Sequence, residues 1–148
     1  DTHSKVVAFQ NLFLFRYLTD QELVQVLKIV YEKRYKTDQI VLEEGSLGDE
    51  IYLIMSGSVA VIKNDQYLTT LGPGSQFGGV AFMDGLPRSA TIQASEPTTL
   101  LTINRDDFSN LTRSDPVIAT KLLWCFVLNM ASRLRGLSAS LVEATKKK

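Results

Sequence analysis

Between Phe77 and Thr91 the chain runs Phe-Gly-Gly-Val-Ala-Phe-Met-Asp-Gly-Leu-Pro-Arg-Ser-Ala-Thr, and these residue types suit the capture of an anion. Gly78 and Gly79 let the backbone approach a ligand closely. The amides opening Val80, Ala81 and Phe82 are free to donate, as at any helix start. Arg88 can place a two-pronged charged contact on a phosphate, and the Ser89 hydroxyl adds a further donor. Two plainer readings stand beside these. Arg88 can instead pair with a local carboxylate such as Asp84, and Gly79 can serve turn geometry alone. A Gly-rich loop with one Arg is a weak signal, whereas the whole segment is a specific one.

The elements that must position this segment are legible from periodicity and punctuation. Phe9, Leu12, Phe13, Phe15 and Leu18 form an apolar lead-in. Thr19-Asp20-Gln21-Glu22 is a capping box, followed at helical spacing by Leu23, Val26, Leu27 and Val30. From about Tyr35 to Ile103 the period switches to two. Short β-rich runs fall at Ile40–Leu42, Ile51–Met55, Val59–Lys63, Tyr67–Leu71, Ala90–Ala94 and Thr99–Ile103. Gly45, Gly57, Asn64-Asp65, Gly72-Pro73-Gly74 and Glu96-Pro97 separate them as turns. Many short strands at near-regular spacing predict a small barrel or roll, with Phe77–Thr91 as its helical interruption. Asp106-Asp107 looks like a helix start. A long helix is expected from Asp115-Pro116, a cap followed by Pro in the first turn, to about Val142. Leu123, Val127, Met130, Leu134, Leu137 and Leu141 repeat there at heptad spacing, weakened by Gly136. Leu122, Trp124, Phe126 and Leu128 make its first half apolar all round, which suits a helix buried on more than one face. One face would cover the roll and the other would pair with a second copy, giving a homodimer. The alternative is that the whole stripe packs within one chain.

The Phe77–Thr91 segment resembles the phosphate-binding cassette of the cyclic nucleotide-binding domain family, which includes Crp/Fnr-like and protein kinase A regulatory-subunit-like modules. The family reads Phe-Gly-Glu, apolar, Ala, two apolar, three variable, then Pro-Arg-Ser/Thr-Ala. Phe77, Gly78, Val80, Ala81, Phe82, Met83, Pro87, Arg88, Ser89 and Ala90 match it without a gap. Val41–Gly45 and Ile51–Val59 are similar to the family's first strands and glycine turn, and residues 9 to 142 are covered overall. The resemblance implies an α+β, mainly β architecture: a jelly-roll-like β-roll over 35–104. N-terminal helices over 9–34 and C-terminal helices over 105–142 would flank it, all in one domain spanning 1–148. It implies a ligand site of Phe77, Gly78, Gly79, Val80, Ala81, Arg88, Ser89 and Ala90. It also implies that the second half of the C-terminal helix reaches the purine, with Arg133, Arg135, Leu137 and Ser138 as the candidates.

One position departs from the family. Gly79 stands where the family has a glutamate that accepts a hydrogen bond from the ribose 2′-hydroxyl. Losing such a charged bond costs ~1.5–3 kcal/mol, about 10- to 150-fold in affinity. Asn64, Asp65 and Gln76 are candidates to replace it. Two functions therefore stay open. The first is a cyclic nucleotide sensor, cAMP ahead of cGMP, signalling through movement of the C-terminal helix. The second is a degenerate module that binds another anion, or nothing, and acts as a dimerisation or interaction scaffold. The retained Arg88 favours the first, because an unpaired buried guanidinium is costly.

Composition narrows the remaining choices. Of 148 residues, 45% are hydrophobic and 22% charged, the proportions of an ordinary globular domain. Lys plus Arg equals Asp plus Glu, 16 against 16, so no net field draws nucleic acid. A single cysteine, Cys125, lies in an apolar run and reads as a small buried hydrophobe. That usage fits a reducing compartment, and a cytoplasmic location is expected. No secretory leader is visible, and no apolar stretch approaches the ~18 residues of a membrane span. Catalysis is set aside: the one histidine, His3, has no metal-ligating or nucleophilic partners in view, and no metal or cofactor is expected. The chain opens on Asp1, which leaves open a piece cut from something longer. The effector is expected elsewhere, since the residues after Leu141 are too few for a helix-turn-helix.

Overall fold

A computed structural model describes residue 15 and residues 17–146; the side chains of 137, 138, 140, 141 and 146 fall outside that description, as do Phe9, Leu12, Phe13 and His3. The elements in chain order are α1 (Asp20–Leu27), β1 (Tyr31–Tyr35), β2 (Ile40–Leu42), β3 (Glu50–Ser56), β4 (Val59–Lys63), β5 (Gln66–Leu71), β6 (Gln76–Phe77), α2 (Gly79–Asp84), β7 (Thr91–Ala94), β8 (Thr98–Asn104), α3 (Arg105–Ser114) and α4 (Pro116–Lys146). The strands form two four-stranded sheets, ordered β1-β8-β3-β6 and β2-β7-β4-β5. Every described pairing is antiparallel. This is the expected β-roll with flanking helices.

The strands begin earlier than Tyr35. Tyr31–Tyr35 is a strand pairing with β8 rather than the tail of a helical region. Its sequence, Tyr-Glu-Lys-Arg-Tyr, is polar because it is an edge strand, so alternation gave little signal there. The two-residue β6 was also unexpected and is too short for any periodicity.

β3 explains how two cores share one sheet. Ile51 and Leu53 face the helices, whereas Tyr52 and Ile54 face the interior between the sheets. A strand buried on both faces reads as a continuous apolar run, as Ile-Tyr-Leu-Ile does here. β8 divides likewise, with Leu101 and Ile103 toward the helices and Leu100 inside the roll. The helical core adds Phe15, Leu23, Val26, Phe82, Phe108, Leu111, Leu122, Cys125 and Phe126.

The helix starts follow their caps. The Thr19 hydroxyl accepts from the Glu22 amide at 3.2 Å, while the Glu22 carboxylate accepts from the Thr19 amide at 2.9 Å. Asn104 caps α3 through the Asp107 amide at 2.8 Å, and the Asp115 carboxylate takes the Ile118 amide at 3.2 Å. Lys121 donates to Glu22 at 2.6 Å, tying α4 to α1.

α4 corrects one expectation. Its segment Pro116–Gly136, 21 residues with mean hydropathy 1.4, is long and apolar enough to cross a membrane by length and composition alone. Scattered polar residues such as Lys121 and Asn129 break the apolar run without lowering its average far. Core helices meet the same criterion, and here Ile118, Ala119, Leu122, Cys125 and Phe126 are fully committed to the core.

Candidate functional site

Gly78 starts the site. Its φ of 80° lies in the left-handed region, and as N-cap of α2 it turns the chain from β6 into the helix. A Cβ there would sit 2.9 Å from Arg88 Nη1 and 3.0 Å from the Glu50 carbonyl oxygen. No side chain caps α2, and its first amides have no partner within the helix.

Arg88 is 4% exposed, and among the described residues no carboxylate pairs with it. Its Nη1 donates to the Gly78 carbonyl and its Nη2 to the Glu50 carbonyl, each at 2.9 Å. Nε is buried without a partner. Burial holds its pKa below the usual arginine range, against the opposing influence of Tyr52 and Glu50. The salt bridge to Asp84 considered from sequence does not form: Asp84 instead accepts from the Leu86 amide at 2.9 Å. Nothing in the local sequence announces these partners, because both are backbone carbonyls.

A framework holds Arg88's surroundings. The Glu50 carboxylate accepts from Lys33 at 3.0 Å, Thr102 at 2.9 Å and Tyr52 at 3.1 Å. Burial raises the Glu50 pKa, but the bonds from Lys33 and Thr102, the Lys33 charge and the Tyr52 bond together leave it below its ordinary value. Tyr52 stacks on Phe77 with centroids 5.0 Å apart, and burial, then the Glu50 charge, pushes its pKa up.

A cavity of about 200 Å³ opens over this framework. Phe77, Gly78, Gly79, Val80, Ala81, Arg88, Ser89 and Ala90 all line it, so every ligand residue expected from the cassette lies at one site. Leu42, Val61, Leu71 and Ile92 supply apolar walls from the second sheet. Of the helix candidates, Arg133 lines the cavity and Arg135 does not, while Leu137 and Ser138 lie outside the described side chains. Desolvation lowers the Arg133 pKa, although the residue as a whole is exposed. Asn64 and Asp65 are elsewhere: they form the β4–β5 turn, both at positive φ, and line a different hollow with Glu43 and Glu44.

The departure at Gly79 has a steric counterpart. A Cβ on Gly79 would meet Met130 Cε at 2.5 Å and Ile51 Cδ1 at 3.3 Å. Met130 of α4 therefore lies over the position where the family carries its glutamate. Gln76, 2% exposed, stands beside it and donates from Nε2 to the Phe126 carbonyl of α4 at 3.3 Å, while Oε1 is buried without a partner.

α2 is wired to the C-terminal helices. Phe82 meets Phe108 of α3 and Phe126 of α4 edge-on, at 5.6 and 6.0 Å between centroids. Arg105 donates to the Ala81 carbonyl at 2.7 Å and the Phe82 carbonyl at 2.9 Å, closing the C-terminal end of α2. Sequence reading passed over Arg105, gave Met130 only as a heptad position and gave Phe82 only as a cassette match.

The chain belongs to the cyclic nucleotide-binding domain family, whose model matches residues 32–115. It is a regulatory domain of that class, similar to several proteins. A cAMP-dependent protein kinase regulatory subunit of Yarrowia lipolytica is 34% identical over 67% of this chain and 26% of that protein. A cGMP-dependent protein kinase of Toxoplasma gondii is 29% identical over 80% of this chain and 12% of its own length. A cyclic nucleotide-binding domain from Methylobacillus flagellatus superposes with a TM-score of 0.86 at 26% identity, covering 97% of this chain and 83% of that one. The chain thus spans about a quarter or less of the two kinase relatives.

Proposed function

We propose that this domain senses a cyclic nucleotide, cAMP ahead of cGMP, and signals through α4. One observation carries the reading: a buried Arg88 with no carboxylate partner and an unsatisfied Nε faces a cavity rimmed by free helix-start amides. A buried cation in that condition is completed by an anion. The cyclic phosphate would sit among the Val80 and Ala81 amides, Arg88 and the Ser89 hydroxyl. The sugar and base would lie against Leu42, Val61, Leu71 and Ile92, with Arg133 closing from α4.

Cavity size supports the signalling step. At about 200 Å³ it falls below the roughly 300–1,000 Å³ usual for small-molecule sites, so a nucleotide requires Met130 and α4 to give way. The ligand then selects one helix position over another by differential affinity. Exposed Val127 and Leu134 on the heptad seam support self-association through α4, whereas Met130 on the same seam is engaged within the chain. The reading treats residues 1–148 as one regulatory unit in a cytoplasmic setting, with its effector outside it.

Calorimetry of the nucleotide-free domain with cAMP and then cGMP tests the reading. Micromolar or tighter binding with cAMP preferred is expected. No heat from folded protein with either nucleotide contradicts it and leaves the scaffold reading in its place.

A further inference from the structure

Two of the residues that line the cavity carry a buried polar atom without a partner, of opposite character, and the two sort the ligand's own groups. Arg88 Nε is a donor and seeks an acceptor; Gln76 Oε1 is an acceptor and seeks a donor. A phosphate offers no donor when ionised, so it cannot complete Gln76, whereas a sugar hydroxyl can. The orientation of the Gln76 carboxamide is fixed by its other bond. Only the nitrogen can donate to the Phe126 carbonyl at 3.3 Å, which leaves the oxygen free. Its Nε2 lies 3.9 Å from the place a Gly79 Cβ would occupy, at the end of the site where the carboxylate is missing.

We propose that Gln76 reads the sugar hydroxyl of the bound nucleotide, its Oε1 accepting from the hydroxyl while its Nε2 stays on the Phe126 carbonyl of α4. This rests on the cyclic nucleotide reading above and deepens it. Asn64 and Asp65 are excluded from the role by position, since they face a different hollow. One neutral side chain then joins ligand recognition to the signalling helix. A neutral acceptor also gives milder sugar selectivity than a carboxylate does.

The test is calorimetry of the chain with cAMP and with 2′-deoxy-cAMP. Wild type is expected to prefer cAMP by about three- to tenfold, the yield of one neutral hydrogen bond. Gln76→Met, of similar shape, is expected to bring that ratio to about one. If Gln76→Met does not fold, Gln76→Leu, which also lacks the acceptor, serves instead and is likewise expected to bring the ratio to about one. A ratio unchanged by the folded variant overturns the assignment. Wild type binding both nucleotides alike also overturns it, while the cyclic nucleotide reading survives. Wild type binding neither sinks that reading, and this inference with it.

Discussion

The two ends of the cavity are built differently. The end proposed to take the anion is made mostly by the contiguous segment 77–90 and is clamped by main chain: Arg88 is held by the carbonyls of Gly78 and Glu50, and Gly78 has no room for a side chain. At the opposite end the material comes from α4. Met130 fills the space above Gly79, and Gln76 reaches the Phe126 carbonyl fifty positions away in sequence. Strands and main-chain bonds give the first end one geometry. The second end is closed by the flexible thioether of Met130, so it is the end that yields, while the 3.3 Å bond from Gln76 keeps α4 tied to the site. A sensor needs both: a fixed point that anchors the ligand and a movable part that reports it.

Arg88→Ala separates the ends most strongly. Truncating one member of a buried charge pair costs about 2–5 kcal/mol, so cAMP affinity is expected to fall by about 30-fold or more in calorimetry. Thermal stability is expected to change little, because the loss of the bonds to the Gly78 and Glu50 carbonyls is offset by relieving a buried cation with an unsatisfied Nε. A large loss of Tm would instead make Arg88 a structural clamp and erase the distinction.

Gly79→Glu probes the yielding end. Overpacking against Met130 is expected to cost about 1–3 kcal/mol in urea unfolding. Adding Met130→Ala is expected to return most of that, with a coupling of about 0.5–3 kcal/mol. Additive effects would mean that Met130 and residue 79 do not share the space.

Arg105→Ala should loosen the joint between α2 and α3. Loss of its bonds to the Ala81 and Phe82 carbonyls is expected to cost up to about 1.5–3 kcal/mol, read by chemical unfolding. Amide exchange is expected to rise in α2 more than in β3, and equal rises would show that the cassette is not separately anchored.

The smallest effect is a pH dependence. Glu50 sits below its ordinary value of 4.5 in the folded chain. Its contribution to stability is therefore complete above that ordinary value and is lost as pH falls through the folded one. Glu50→Gln is expected to flatten the acid limb of a Tm-against-pH curve, and an unchanged limb would assign that limb to other carboxylates.

The same contrast decided what the sequence revealed. The cassette was legible because its glycines, Pro87, Arg88 and Ser89 are contiguous and each residue type has few other uses. Six strands were legible because short β-rich runs are bounded by Gly, Pro and Asn-Asp turns. β1 escaped because an edge strand as polar as Tyr-Glu-Lys-Arg-Tyr lacks an apolar face. Arg88's partners escaped because a carbonyl carries no side-chain signature. Met130 was visible only as one more position in a heptad stripe, since helical period does not say which neighbour a face meets. Gln76 stood among three candidates, and only the fold separated it from Asn64 and Asp65.

The most direct test uses the three methionines, Met55, Met83 and Met130, as methyl reporters. With ¹³C-labelled methionine methyls, cAMP is titrated into wild type and into Arg88→Ala while NMR follows each signal. In wild type the Met130 methyl is expected to shift in step with saturation, the Met55 methyl to stay nearly in place, and Arg88→Ala to abolish the response at matched concentration. Saturating cAMP that leaves Met130 unmoved would contradict a site anchored at Arg88 and reported by α4.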